Sequence, residues 1–148
     1  LELAPRRLAT AVKGLTDEQL DMSYRPGGWS ARQVVHHLAD SALNGSARFR
    51  WALTEDEPTI KPYDENRWAQ LPDAKKGPIA PSLLVFEGTS ARLVTLLGAL
   101  TPKDWARRFF HPEAQRHWRL DACLALYAWH HEHHVAHIAT LRSRAGWK

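Results

Sequence analysis

Apolar residues recur at three- and four-residue intervals over four stretches of the chain, the periodicity of helices with one buried face. Leu3, Leu8 and Val12 mark a first helix over about Glu2 to Lys13, ended by Gly14. Thr16 and Gln19 have the spacing of a capping box and predict a short helical turn. The Arg25-Pro-Gly-Gly28 segment is a break. Ser30 and Gln33 repeat the capping-box spacing and open a second helix. Val34, Val35, Leu38, Ala42, Gly45, Phe49 and Leu53 carry its apolar stripe to about Thr54, where Glu55-Asp-Glu57 and Pro58 stop it. A third helix is expected from near Ser82 to near Leu100, on Leu83, Leu84, Phe86, Leu93, Val94 and Leu97. Thr101-Pro102-Lys-Asp104 reads as a capped turn and His111-Pro112 as a loop. The fourth helix spans about Leu120 to Arg142, with Gly146 just beyond.

Residues 55–80 are a long connection containing Pro58, Pro62, Pro72 and Pro78. A loop of that length in a compact domain serves function or crosses over the bundle. No segment alternates with period two between hairpin turns. The expectation is an all-α single domain over residues 1–148, a four-helix bundle.

Composition narrows what such a domain does. A net charge of +4 from 20 basic and 16 acidic residues, spread along the chain, argues against nucleic-acid binding. No apolar run reaches the length of a membrane span. Cys123 is the single cysteine, so an intrachain disulfide and a cysteine-based zinc site are both ruled out, and a reducing, cytoplasmic setting is expected. Leu1 is not an initiator methionine, which leaves room for upstream residues.

The chemistry lies in the histidines. Five of the nine fall between His130 and His137, inside the fourth helix. Residues four apart share a helix face, so either His130/His134 or His133/His137 can offer two imidazoles to one ion. Leu124, Tyr127, His131, His134 and Ile138 fall in a stripe roughly 80° wide at about 100° per residue. His134 lies in that stripe, His130 at its edge and His133 near the opposite face, which favours His130/His134. A catalytic site of the zinc type takes three protein ligands and keeps one position open. The second helix supplies a further source in Val34-Val-His-His-Leu-Ala-Asp40, where His37 lies nearer the apolar stripe than His36. Gln33, His37, Asp40, Asn44 and Arg48 form a polar stripe beside it. Three neutral imidazoles leave an ion's charge uncompensated, which activates bound water or thiol. Asp40 is the candidate catalytic group, orienting a ligand or shuttling a proton. Tyr63, Asp64 and Trp68 are candidate pocket covers, and Arg25, Arg48 and Arg142 candidate cations for a thiol. The plainer readings are packing or orienting roles for His36 and His131, surface for His111 and His117, and core for Cys123, Trp29, Trp51, Trp68 and Trp129.

Arg25-Pro-Gly-Gly-Trp-Ser30, His36-His-Leu-Ala-Asp40, Ala52-Leu-Thr-Glu-Asp56, Lys61-Pro-Tyr-Asp-Glu65 and Tyr127-Ala-Trp-His130 with His133-His134 and His137-Ile138 resemble the YfiT group of the DinB-like superfamily. The resemblance implies an up-down-down-up four-helix bundle, a homodimer, and a metal held by His37, His130 and His134. His137 stands where a Gln is common in the family, so it either replaces or supplements a ligand. An N-terminal extension of the family is only partly covered by this chain. Three activities are consistent with the resemblance. The first is a metal-dependent hydrolase that activates water against a small electrophilic substrate. The second is a thiol S-transferase using a low-molecular-weight thiol of the bacillithiol type. The third is a non-enzymatic metal-binding stress module with a closed coordination sphere. Zinc suits three imidazoles, and nickel is also compatible.

Overall fold

A computed structural model describes residues 1–147. Its elements are α1 (Ala4–Val12), α2 (Asp17–Leu20), α3 (Ala31–Thr54), α4 (Glu65–Trp68), α5 (Pro72–Lys76), α6 (Ala80–Gly98), α7 (Pro102–Trp105), β1 (Arg108–His111), β2 (Arg116–Arg119) and α8 (Leu120–Arg144). The long helices α1, α3, α6 and α8 make the four-helix bundle. α3 packs on α6 and α8, and α1 packs on the same two, so α1 and α3 face each other across the bundle. Of the long helices consecutive in sequence, α3 and α6 are neighbours, whereas α1 and α3, and α6 and α8, lie across the bundle from each other. No helix among the described residues is long and apolar enough to cross a membrane.

Local chemistry sets the helix starts. Thr16 and Ser30 each accept a hydrogen bond from the backbone N–H of Gln19 and Gln33, and each Gln side chain accepts from the cap's own N–H in return. Thr101 forms the same box with Asp104. α6 starts two residues earlier than the sequence suggests, because Pro81 occupies the first turn, where its missing N–H is harmless.

The core falls into two apolar clusters. One joins Leu8, Val34, Val35, Leu38, Phe86, Val135 and Ile138. The other joins Phe49, Ile60, Leu93, Phe109, Leu120, Cys123 and Tyr127. On α8 the inward histidines lie between the residues that serve the two clusters.

Two features add to the four long helices expected, and only the second departs from all-α. The 55–80 connection holds the short helices α4 and α5, and a β-hairpin precedes α8. β1 and β2 pair antiparallel with Phe109 opposite Trp118. Each strand has four residues, too few for an alternation to stand out from a loop. Phe110 also exchanges backbone hydrogen bonds with the connection, donating to the Pro58 carbonyl at 2.9 Å and accepting from Ile60 at 3.0 Å. Gln33 anchors the other end, its Nε2 donating to the Ala69 carbonyl at 2.6 Å. Arg32, buried, pairs with Asp17 and Asp21 and donates to the Gly77 carbonyl. The connection is thus tied to the bundle at both ends, with Tyr63 between.

Candidate metal centre

α3 buries its face from Ala31 to Ala39 without interruption, and His37 goes in with it, only 6% exposed. From α8 come His130 and His134, one turn apart. The His37 and His130 Nε2 atoms are 3.1 Å apart. Ring centroids of His37 and His134 are 4.7 Å apart, and those of His130 and His134 are 4.5 Å apart. One nitrogen from each of the three rings lies within 4.8 Å of the other two. Nitrogens bound about 2.0–2.1 Å from a tetrahedral zinc sit roughly 3.3–3.4 Å apart, so small side-chain adjustments suffice to seat an ion.

The electrostatics suit a cation. Burial, with added repulsion from neighbouring histidines, pushes His37, His130 and His134 down to about 3. The rings are neutral at physiological pH, the form that donates a lone pair to a metal. Ser41, one turn past His37, places Oγ 3.5 Å from His130 Nδ1. With Nε2 facing the other rings, Nδ1–H can donate to this hydroxyl, the usual way a ligand imidazole is oriented. His134 Nδ1 is buried with no hydrogen-bond partner among the described residues. Trp29 walls the cluster, its ring centroid 4.7 Å from His37 and stacked at 6.1 Å on His134.

The other histidines separate cleanly. His36 is held by Ser82 Oγ at 2.8 Å, the packing role expected of it. His131 is 2% exposed, edge-on to Phe86 at 4.9 Å, and neither ring nitrogen has a partner among the described residues. His133 stacks on exposed Trp129 and His137 stacks on Tyr24 at 4.1 Å, so His137 stays outside the cluster. His117 is exposed, 3.3 Å from Glu57.

A cavity of about 210 Å³ opens beside the cluster. His37, Ser41 and His130 close one end, Arg48 and Tyr127 form a wall, and Tyr63 reaches in from the connection. The hairpin supplies Phe109, His111 and Trp118. Gly45 makes this wall possible: a Cβ there would lie 2.7 Å from the Tyr127 ring. A larger groove of about 910 Å³ between α1 and α8 contains no histidine, and the chemistry favours the smaller cavity.

Other sequence candidates find different places. Asp64 caps α4 and Trp68 lies against Tyr63, while Tyr63 alone of the three lines the cavity. Arg142 donates to carbonyls at the end of α1, and Arg25 lies beside Tyr24, so of the three cations only Arg48 reaches the pocket. Asp40 is half-buried on α3, and burial, with Asp73 nearby, raises its carboxyl to about 6. No hydrogen bond joins that carboxylate to the three rings among the described residues. Ser41 and the hairpin residues His111 and Trp118 escaped the sequence reading. Ser41's spacing of four from His37 was a readable signal, whereas the hairpin residues meet the site only through tertiary folding.

The family model described as the DinB superfamily matches residues 1–138. Two relatives are named "Putative metal-dependent hydrolase". The one from Bacillus mycoides (strain KBAB4) is 49% identical over 147 residues, covering 99% of this chain and 84% of its own. The other, YfiT of Bacillus subtilis, is 46% identical over 147 residues, covering 99% and 83%. The solved structure of YfiT superposes with a TM-score of 0.97 over 99% of this chain and 84% of that one, and is described as a "probable metal-dependent hydrolase with an unusual four-helix bundle topology".

Proposed function

The chain belongs to the DinB superfamily, and from that premise we propose that it is a metal-dependent hydrolase of a small electrophilic substrate. One observation carries the reading: neutral imidazoles from two helices, His37 on α3 and His130 and His134 on α8, converge beside a cavity. A divalent ion, zinc by preference, would supply Lewis acidity and a nucleophile at neutral pH. His37, His130 and His134 would hold that ion, and Ser41 would fix the tautomer of His130. With His137 stacked on Tyr24 and outside the three-ring cluster, the protein offers three ligands, the number that goes with a catalytic site of the zinc type. That geometry speaks against a closed, purely structural site. Asp40, one turn from His37 on α3 but outside the cavity lining, has a carboxyl raised to about 6, and proton transfer near neutral pH is the role proposed for it. Trp29 packs against His37 and His134, and Tyr127 lies beside His130.

The test has two parts. Untagged protein is assayed for bound metal by elemental analysis, and hydrolysis of an activated ester is followed before and after chelation, with and without added thiol. The expected result is bound zinc, with chelator-sensitive hydrolysis that needs no thiol. Strict thiol dependence would move the assignment to an S-transferase, and undiminished turnover by metal-stripped protein would end the metal reading.

A further inference from the structure

We infer that the cavity beside the three histidines recognises a small substrate bearing a carboxylate, with Arg48 as its anchor. This inference deepens the hydrolase reading and rests on it.

The fold treats its inward arginines differently. The Arg32 guanidinium meets two carboxylates and two carbonyls. Arg107 donates to the Ala52 and Glu55 carbonyls. Arg48, half-buried in the cavity wall, has one hydrogen bond among the described residues, from Nη1 to the Tyr127 hydroxyl at 3.1 Å. Its Nε is buried without a partner, and no carboxylate pairs with it among the described residues. A guanidinium offers five donors, and leaving a charged one unmet inside a protein is costly. Trp118, on the hairpin side of the same cavity, likewise has its indole N–H buried and unpartnered. Tyr127 and Tyr63 stay neutral hydroxyls, because burial raises both above the ordinary phenol value.

The cavity therefore holds a guanidinium and an indole N–H with unmet donors. Its carboxylate, Glu65, is exposed at the rim, while Arg48 lies in the wall. A planar carboxylate matches the guanidinium fork. Phe109, Leu126 and the Trp118 ring leave apolar surface for the rest of the molecule. At about 210 Å³ the space lies below the roughly 300–1,000 Å³ of drug-sized sites, which selects a compact acid. Tyr127 links the two ends: its hydroxyl meets Arg48, and its ring centroid lies 6.5 Å from that of His130. A short acid anchored on Arg48 thus extends toward the histidines.

The test titrates benzoate and its neutral analogue benzamide into ¹⁵N-labelled protein, metal-free and zinc-loaded. The reporter is the Trp118 indole N–H signal, assigned with Trp118→Phe. Benzoate is expected to move that signal and to bind about tenfold more tightly than benzamide in both forms, in keeping with one charged hydrogen-bonded pair. Arg48→Met should erase the preference and Arg48→Lys reduce it. If Arg48→Met does not fold, as judged by spectral dispersion, Arg48→Lys decides, and an undiminished preference there overturns the inference. Equal affinities in metal-free wild type, or a preference surviving in folded Arg48→Met, also overturn it. A preference that appears only with zinc means the acid binds the ion: the anchor is then wrong and the metal reading stands. An Arg48-dependent preference in protein that takes up no zinc leaves the anchor standing and removes the metal.

Discussion

Helix α8 carries two histidine pairs at the same spacing, and their fates differ. His133 and His137 rest on Trp129 and Tyr24 at the rim, and the His133 ring is exposed. His130 and His134 face α3, meet His37, and lose enough water that burial holds all three rings neutral. Both pairs satisfy the helical geometry for binding an ion. What separates them is the neighbour: α3 brings a third imidazole and the Ser41 hydroxyl, and the loop before it the Trp29 wall, to one pair only. A two-histidine motif on a helix therefore becomes a candidate site through what is packed against it.

The sharpest way to break this comparison is to delete one ring from each pair. His134→Ala is expected to abolish stoichiometric metal binding and to reduce hydrolysis to background. His133→Ala/His137→Ala should keep both, with stability within about 0.5 kcal/mol of wild type. Elemental analysis and ester turnover read the result, and the reverse pattern would transfer the site to the outer pair. Next in size is Asp40→Asn, expected to lower kcat by about 10²-fold while leaving metal content intact. A pH–rate profile that keeps its acid limb near pH 6 in this variant would remove Asp40 from the mechanism.

Acid should distinguish the pairs as well. The inner rings titrate near 3 in the fold against 6.5 in the unfolded chain, so the unfolded chain takes up protons first as pH falls. Their contribution to metal-free stability is complete above pH 6.5 and is lost progressively toward pH 3, by at most about 1.4 kcal/mol per pH unit for each ring. Urea denaturation at pH 7 and pH 5 checks this. His37→Ala should flatten the dependence, and the double outer variant should change it little. The smallest expected effect probes the contact between α3 and α8 itself. Gly45→Ala forces a methyl against the Tyr127 ring and should cost about 1–3 kcal/mol. Full stability with undiminished zinc affinity in that variant would show that so close an approach is unnecessary.

Much of this molecule is legible in one dimension. Capping boxes at Thr16, Ser30 and Thr101 and the apolar periodicity of the long helices set α3 to its last residue, because a helix repeats every 3.6 residues and its ends carry their own chemistry. The inward pair on α8 follows from the same periodicity. The order of helices around the bundle does not, nor does the hairpin, whose short strands hold by pairing with each other and with Pro58 and Ile60. His111 and Trp118 reach the cavity only on that hairpin, and among the described residues Arg48 has no carboxylate within ion-pair distance, Glu65 of the same cavity being exposed. Local spacing decides which residues can share a face. Which faces meet, and which polar groups are left unsatisfied where they do, depends on contacts between residues far apart in the chain, and these exist only in the folded state.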